Sequence, residues 1–242
     1  MDVARNIIHE KPGLLITDLT NNIIDRKFSL HLIKLSSGNK QSFLMKNSLS
    51  SIITIEGEFE ISNSANNIKQ KLKLEEGLHL NEGTSFSISA STSEAQMLVA
   101  STNIFPLELC DNTLDTYNTE KLSTYHVDKP WGWEKWYTKN IEERGEYALK
   151  MIYMNEGNQS SLQSHKEKSE TNYVIYGEAN VIYGLEAPKD RTSVITLDKL
   201  KEKIYHPFEG WSNKVNELHR VIAKKTYKAI DCLLYTSPSP RD

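Results

Sequence analysis

The chain has 242 residues, 38% hydrophobic and 25% charged, with a formal net charge of −3 at pH 7. This is the balance of a somewhat polar globular protein, long enough for one large domain or two of roughly 100–150 residues. The slightly acidic total with no basic block excludes a general nucleic-acid binder, and no run approaches the roughly 20 apolar residues of a membrane span.

The start, Met1-Asp-Val-Ala-Arg-Asn-Ile-Ile-His9, lacks the apolar core of a signal peptide, so a cytoplasmic protein is expected. From Lys27 to Leu35 the residues largely alternate in polarity, and Gly38 turns the chain. Ser51–Ile55 and Glu58–Ile61 flank Glu56-Gly57, Lys69–Leu74 alternates, and Phe86–Ile88 and Met97–Ala100 read as further strands. Short strands punctuated by glycine turns predict an antiparallel sandwich or barrel. His9, His31 and His79 read as structural or solvated. Residues 111–127 are polar and read as a linker.

The second half repeats the first. Leu32-Ile-Lys-Leu-Ser-Ser-Gly38-Asn matches Met151-Ile-Tyr-Met-Asn-Glu-Gly157-Asn, and Ile52–Glu58 matches Tyr173–Glu178 with one residue of slippage. Self-similarity over roughly a hundred residues implies a duplicated domain. Counting from the shared glycines, Leu44 and Lys46 stand where the second copy has Gln163 and His165, and Ser50 where it has Glu170. Aligning Ile88 with Ile222 puts Ser85 where His219 stands. The first copy, residues 1–110, is therefore expected to be a structural, dimerising or substrate-covering domain without metal ligands.

In the second copy Gln163, His165 and Glu167 alternate, which on a strand puts their side chains on one face. Glu170 follows a short turn, and Leu218-His219-Arg220-Val-Ile222 offers a distant second histidine on a β-type run. Imidazole, carboxylate and amide oxygen suit a divalent first-row metal such as Zn, Mn or Fe.

These pieces resemble the two motifs of the cupin superfamily, with six residues between Glu170 and Gly177, although the usual His-x-His is here His165-Lys-Glu167. Lys129-Pro-Trp-Gly132, Ala148-Leu-Lys150, Ser161-Leu-Gln-Ser-His165, Lys168, Glu170 and His219-Arg220 resemble the C-terminal cupin domain of type II mannose-6-phosphate isomerases. The resemblance covers about Asp128 to Asp231, specific at Ser161–Glu170 and loose between Gly184 and Glu217. It departs at Glu167-Lys-Ser-Glu170-Thr-Asn, and no guanylyltransferase domain precedes it.

The resemblance implies an all-β chain of two tandem cupin domains, a double-stranded β-helix or jelly roll each, the second (128–231) truncated at its C-terminus. It implies a metal, Zn first and Mn or Fe as alternatives, held by Gln163, His165, Glu170 and His219. Glu167 in place of Gln163 is the competing fourth ligand, with Gln163 then orienting His165. The implied reaction is aldose–ketose isomerisation of a small-molecule sugar phosphate in nucleotide-sugar or polysaccharide synthesis. Glu167 would be the general base and Arg220 the catalytic cation or phosphate clamp, while Lys150 and Lys168 would bind substrate. A homodimer without nucleic-acid or membrane partners is expected. A non-catalytic sugar-binding or regulatory bicupin and a metal-dependent oxygenase are the competing readings.

Trp131, Trp133 and Trp136 are assigned to packing across the domain junction, and His126 and His206 to the surface. Asp198–Lys203 reads as a short charged helix or loop, and Pro207–Gly210 as a turn. Residues 232–242, Cys232-Leu-Leu-Tyr-Thr-Ser-Pro-Ser-Pro-Arg-Asp242, resemble the translation of a transposase-type sequencing-library adapter. They are set aside from the fold, which leaves Cys110 as the one native thiol.

Overall fold

The structure is a computed structural model, described here for residues 2, 6–20, 28–46, 48–102, 104, 106–138, 147–166, 168–186 and 199–235. Strands account for nearly all regular structure among the described residues. No described helix is long and apolar enough to cross a membrane. The chain divides into an N-terminal unit, Ala4–Ser123, and a C-terminal unit formed by Met1–Val3 and Thr124–Asp242.

The N-terminal unit holds twelve strands among its described residues: β1 (Asn6–Lys11), β2 (Leu14–Asp18), β3 (Ser29–Ser36), β4 (Lys40–Met45), β5 (Ser50–Glu56), β6 (Phe59–Asn63), β7 (Ile68–Leu72), β8 (Gly77–Leu80), β9 (Ser85–Ala90), β10 (Glu94–Ser101), β11 (Leu107–Cys110) and β12 (Thr119–Lys121). They form one sheet in the order β1-β2-β3-β10-β5-β8-β12 and another in the order β11-β4-β9-β6-β7. Period-2 alternation aims Ile33, Leu35, Phe43, Ile52, Phe59, Phe86 and Met97 into one apolar cluster. His31 is buried, and buried His79 meets Ser51 Oγ through Nδ1 at 2.9 Å.

The C-terminal unit contributes β13 (Tyr125–Lys129), β14 (Gly132–Thr138), β15 (Tyr147–Met154), β16 (Lys168–Glu186), β17 (Lys201–Tyr205), β18 (Gly210–Asn213) and β19 (Glu217–Tyr235). Their order is β13-β14-β15-β19-β16-β17, with β18 also on β16. The central strand order of the first unit recurs here. β3-β10-β5-β8 becomes β15-β19-β16-β18, and β9-β6-β7 becomes the first part of β19, the second part of β16, and β17. The 19-residue β16 and β19 bend from one wall to the other through register shifts around Val174–Ala179.

The glycines that register the two copies have matching backbones. Gly38 and Gly157 have φ of 79° and 78°, and Gly57 and Gly177 have 66° and 82°. A Cβ on Gly57 would collide with the Glu94 carbonyl, and one on Gly177 with that of Thr226, each on the neighbouring strand.

Three expectations differ from the structure. Lys201–Lys203 belong to β17, paired with Val181–Tyr183, instead of a helix or loop. Backbone pairing to β16 satisfies this charged stretch, and its Lys/Glu composition masks the strand. Within the stretch read as a linker, Thr119–Lys121 pair with Leu78–Leu80, and Tyr125–Lys129 open the second sheet. β19 continues past Asp231 through fully buried Cys232 to Tyr235. The Pro207-Phe208 turn is present, with Phe208 at φ 69°.

Candidate metal centre

The candidate centre forms where an irregular segment lies along the first part of β19. Gly157 N–H donates to Ala223 O, Ser160 N–H to Val221 O (both 2.9 Å), and Gln163 and His219 exchange both backbone bonds at 3.0 and 2.9 Å. Asn216 N–H donates to His165 O at 2.7 Å. Only isolated bridges at Gln159 and Gln163 form, so the regular strand expected for Gln163–Glu167 is not what carries these side chains inward. Spaced anchors on β19 do so instead.

Glu170, near the start of β16, stands between the two imidazoles. Its Oε1 lies 3.1 Å from His165 Nε2 and its Oε2 3.1 Å from His219 Nε2. The rings are 5.3 Å apart, and the three ligating atoms lie within 4.8 Å of one another. His219 Nδ1 lies 3.0 Å from the carbonyl of Glu217, which can only accept, so Nδ1 carries a hydrogen and Nε2 is the nitrogen turned toward Glu170. His165 Nε2 is buried and makes no hydrogen bond, because its approach to Glu170 lies off the donor direction. A buried, unpaired imidazole nitrogen beside a carboxylate and a second imidazole nitrogen fits a divalent metal ion. The Gln163 side-chain amide lies 3.4 Å from His219 Nε2, beside the three-residue set.

The charges favour this arrangement. Burial works to raise the Glu170 carboxyl, but His165, His219 and Lys150 hold it well below the usual carboxylate range. Burial works to lower the His219 imidazole, and Glu170 outweighs it and raises it.

The centre opens on a cavity of about 400 Å³ in the C-terminal unit. Trp136, Lys150, Asp231 and Asn172 form one cross-strand row on its wall, one residue from each of β14, β15, β19 and β16. Lys150 Nζ lies 3.1 Å from Glu134 Oε1, 3.2 Å from Asp231 Oδ2 and 5.0 Å from the Trp136 ring centre. Burial works to lower the Lys150 ammonium, yet Asp231, Glu170 and Glu134 raise it, so it stays charged. Burial, then the Glu170 charge, push the Asp231 carboxyl up to about 7 against the pull of Lys150 and Lys168. Lys168 Nζ is 3.8 Å from Glu170 Oε1.

The cavity thus gathers Gln163, His165, Glu170, His219, Lys150 and Lys168. Arg220 is a correction. His219 and Val221 line the cavity, so Arg220 between them projects from the opposite face of β19 and cannot clamp a ligand there. Glu167, the expected general base, lies outside the described residues. Lys166 is exposed and away from the cavity. The tryptophans divide: Trp131 and Trp136 line the cavity, whereas Trp133 stacks on Tyr153 at 5.2 Å and 4°.

Sequence reasoning missed Glu134, Asp231 and Tyr227. Their signal is alternation: Glu134 and Trp136 share one face of β14, and Tyr227, Ala229 and Asp231 one face of β19. A lone carboxylate on an inward face of a β run marks a polar cavity.

No protein-family model and no curated protein sequence matches the chain. Solved structures do. A point variant of the oxalate decarboxylase OxdC of Bacillus subtilis is similar at 11% identity over 98% of this chain and 76% of that one, with TM-score 0.71. AerE from Microcystis aeruginosa is similar at 9% identity over 98% and 99%, with TM-score 0.66. A further structure of Bacillus subtilis oxalate decarboxylase, an enzyme with Mn(II) centres, is similar at 11% identity over 97% and 76%, with TM-score 0.68. The fold is all-β, two tandem cupin domains.

Proposed function

We propose that the C-terminal unit is a divalent-metal enzyme whose residues Gln163, His165, Glu170 and His219 surround the metal, and whose reaction is aldose–ketose isomerisation of a small sugar phosphate. One observation carries the reading: the His165–Glu170–His219 set and Lys129, Lys150 and Lys168 line one cavity of about 400 Å³. That volume lies in the range of small-molecule sites. The ligand chemistry suits Zn, our first assignment, and equally Mn, the metal of the oxalate decarboxylase centres. A divalent ion there would act as a Lewis acid on the oxygens of an adjacent carbonyl and hydroxyl.

The chain's own residues do the rest. Lys168 and Lys129 offer cations to a phosphate, the second of these one-third exposed and 3.3 Å from Glu134. Trp131 and Trp136 offer aromatic walls to the C–H face of a sugar ring. Lys150 is committed to two carboxylates, so its role is to fix the cavity's charge pattern more than to bind phosphate.

The test is metal content by elemental mass spectrometry, with conversion of mannose 6-phosphate to fructose 6-phosphate followed on the same sample. Bound metal with chelator-sensitive turnover supports the reading. Metal without turnover of any hexose phosphate overturns the isomerase and favours a binding module. A metal-dependent oxygenase is the second reading, supported by the two-His, one-carboxylate set with Gln163 standing beside it. Chelator-sensitive oxygen consumption by the Fe-loaded protein would identify it.

A further inference from the structure

The cavity lining carries a carboxyl group that stands outside the His165–Glu170–His219 set. Asp231 is 1% exposed; its Oδ2 meets Lys150, and its Oδ1 is buried with no hydrogen bond. On the same face of β19, Tyr227 is fully buried, and its hydroxyl is also without a hydrogen bond. Both residues line the cavity. Buried polar atoms are rarely left unpaired, and these two belong to residues that line one cavity, where a bound molecule would partner them. Lys150 cannot supply it, being held by Glu134 and Trp136 as well as by Asp231 Oδ2.

We propose that Asp231 is the proton-transferring carboxyl of this cavity, with the Tyr227 hydroxyl donating a hydrogen bond to a substrate oxygen. The proposal rests on the isomerase reading above for the identity of its substrate. In that reaction the C–H bond at C2 breaks and the proton passes to Asp231. The electron pair left behind forms the C1–C2 double bond, and the carbonyl oxygen takes the charge. The hydroxyl proton moves from O2 to O1, and Asp231 returns its proton to C1. Atoms and electrons balance without an oxidant or reductant.

The groups facing Asp231 are Lys150 from β15, Lys168 and Glu170 from β16, Glu134 from β14 through Lys150, and His219 and Tyr227 from β19 itself. Burial, then the Glu170 charge, raise this carboxyl against the pull of Lys150 and Lys168, the direction that suits a carboxyl taking up a proton.

The experiment uses the full chain, metal-loaded, as wild type, Asp231→Asn, Asp231→Glu and Tyr227→Phe, with thermal melting to confirm folding. Incorporation of solvent deuterium into mannose 6-phosphate and fructose 6-phosphate is followed by NMR. Asp231→Asn should keep wild-type metal content and lose exchange by about 100-fold or more, the scale of general acid–base catalysis. Asp231→Glu should retain part of it, and Tyr227→Phe should lose about 10-fold. Exchange by Asp231→Asn within about 3-fold of wild type overturns the proposal. If that variant fails to fold, a pH optimum in Asp231→Glu unmoved from wild type overturns it instead. If wild type exchanges no deuterium into either sugar, the isomerase reading has failed, and infrared difference spectra between about pH 6 and pH 8 decide the fate of Asp231. A protonated-carboxyl band that titrates in wild type and is missing from Asp231→Asn, or shifted in Asp231→Glu where only that variant folds, supports the proton-transfer role, and its absence from wild type sinks it.

Discussion

Gln163 lies opposite His219 in the C-terminal unit, and Leu44 lies opposite Ser85 at the matching place in the N-terminal unit. These four positions follow from two separate alignments, one counted from a turn glycine and one from an isoleucine, and the backbone pairs them the same way in both copies. The backbone pairing at this place is thus duplicated, while its side chains are not. In the N-terminal unit the neighbouring Met45 accepts from Ser48 and Ser50 within an apolar interior.

The metal set should therefore answer to single substitutions in one copy only. His165→Ala and His219→Ala should each lower bound metal from about one per chain to below about a tenth, measured by elemental mass spectrometry, since each removes one of three convergent donors. Lys46→Ala, at the matching position of the first copy, should leave metal unchanged. It removes only an exposed pair with Glu108 at 2.7 Å and should cost at most about 1 kcal/mol. Metal retained in either histidine variant would overturn the site.

Arg220→Lys tests the face assignment on β19. Because Arg220 projects away from the cavity, metal content and any sugar-phosphate turnover should stay within about 2-fold of wild type. A drop of about 100-fold in turnover would return Arg220 to the site.

Lys150→Met should be strongly destabilising. It leaves Glu134 and Asp231, 7% and 1% exposed, without their shared cation. Breaking a buried ionic cluster on one side costs about 3–5 kcal/mol, read from urea unfolding of the metal-free protein. Retention of wild-type stability would show that the lysine is not the partner of both carboxylates.

Asp231 and Glu134 give metal-free stability opposite slopes with pH. Asp231 has a folded pKa raised from 3.8 to about 7, so between those values the native state binds more protons than the unfolded state, and its contribution falls as pH rises. Glu134 is lowered: burial works against ionisation, but Lys150, Lys129 and Trp136 outweigh it. Its contribution is present above the ordinary glutamate range and is lost as pH falls through the lowered value. Asp231→Asn should remove the fall between about pH 4 and 7, measured by denaturant midpoints across that range. An unchanged profile would contradict the raised carboxyl.

The glycine turns predict a graded response. Gly157→Ala faces open space and should cost about 1 kcal/mol for its positive φ alone. Gly177→Ala adds a collision with the Thr226 carbonyl and should cost more, about 2–4 kcal/mol. Equal costs in urea melts would show that β16 and β19 do not approach closely there.

By itself the sequence determined the strand-and-turn pattern, the duplication, and which copy carries the set of His165, Glu170 and His219. Those properties are local, since polarity alternates with the β period and Gly38, Gly57 and Gly157 at turns and Gly177 at a register shift within β16 all need a left-handed backbone. The period also sets Arg220 opposite His219, so their adjacency in sequence is separation in space. Only the tertiary structure decided which face of each strand is inside. Asp231, Lys150 and Glu134 lie far apart in sequence, and they meet because β19 pairs with β15, and β15 with β14, in one fixed register. A one-residue slip would turn all three outward, and register across distant strands is a property of the assembled sheet, not of any one segment.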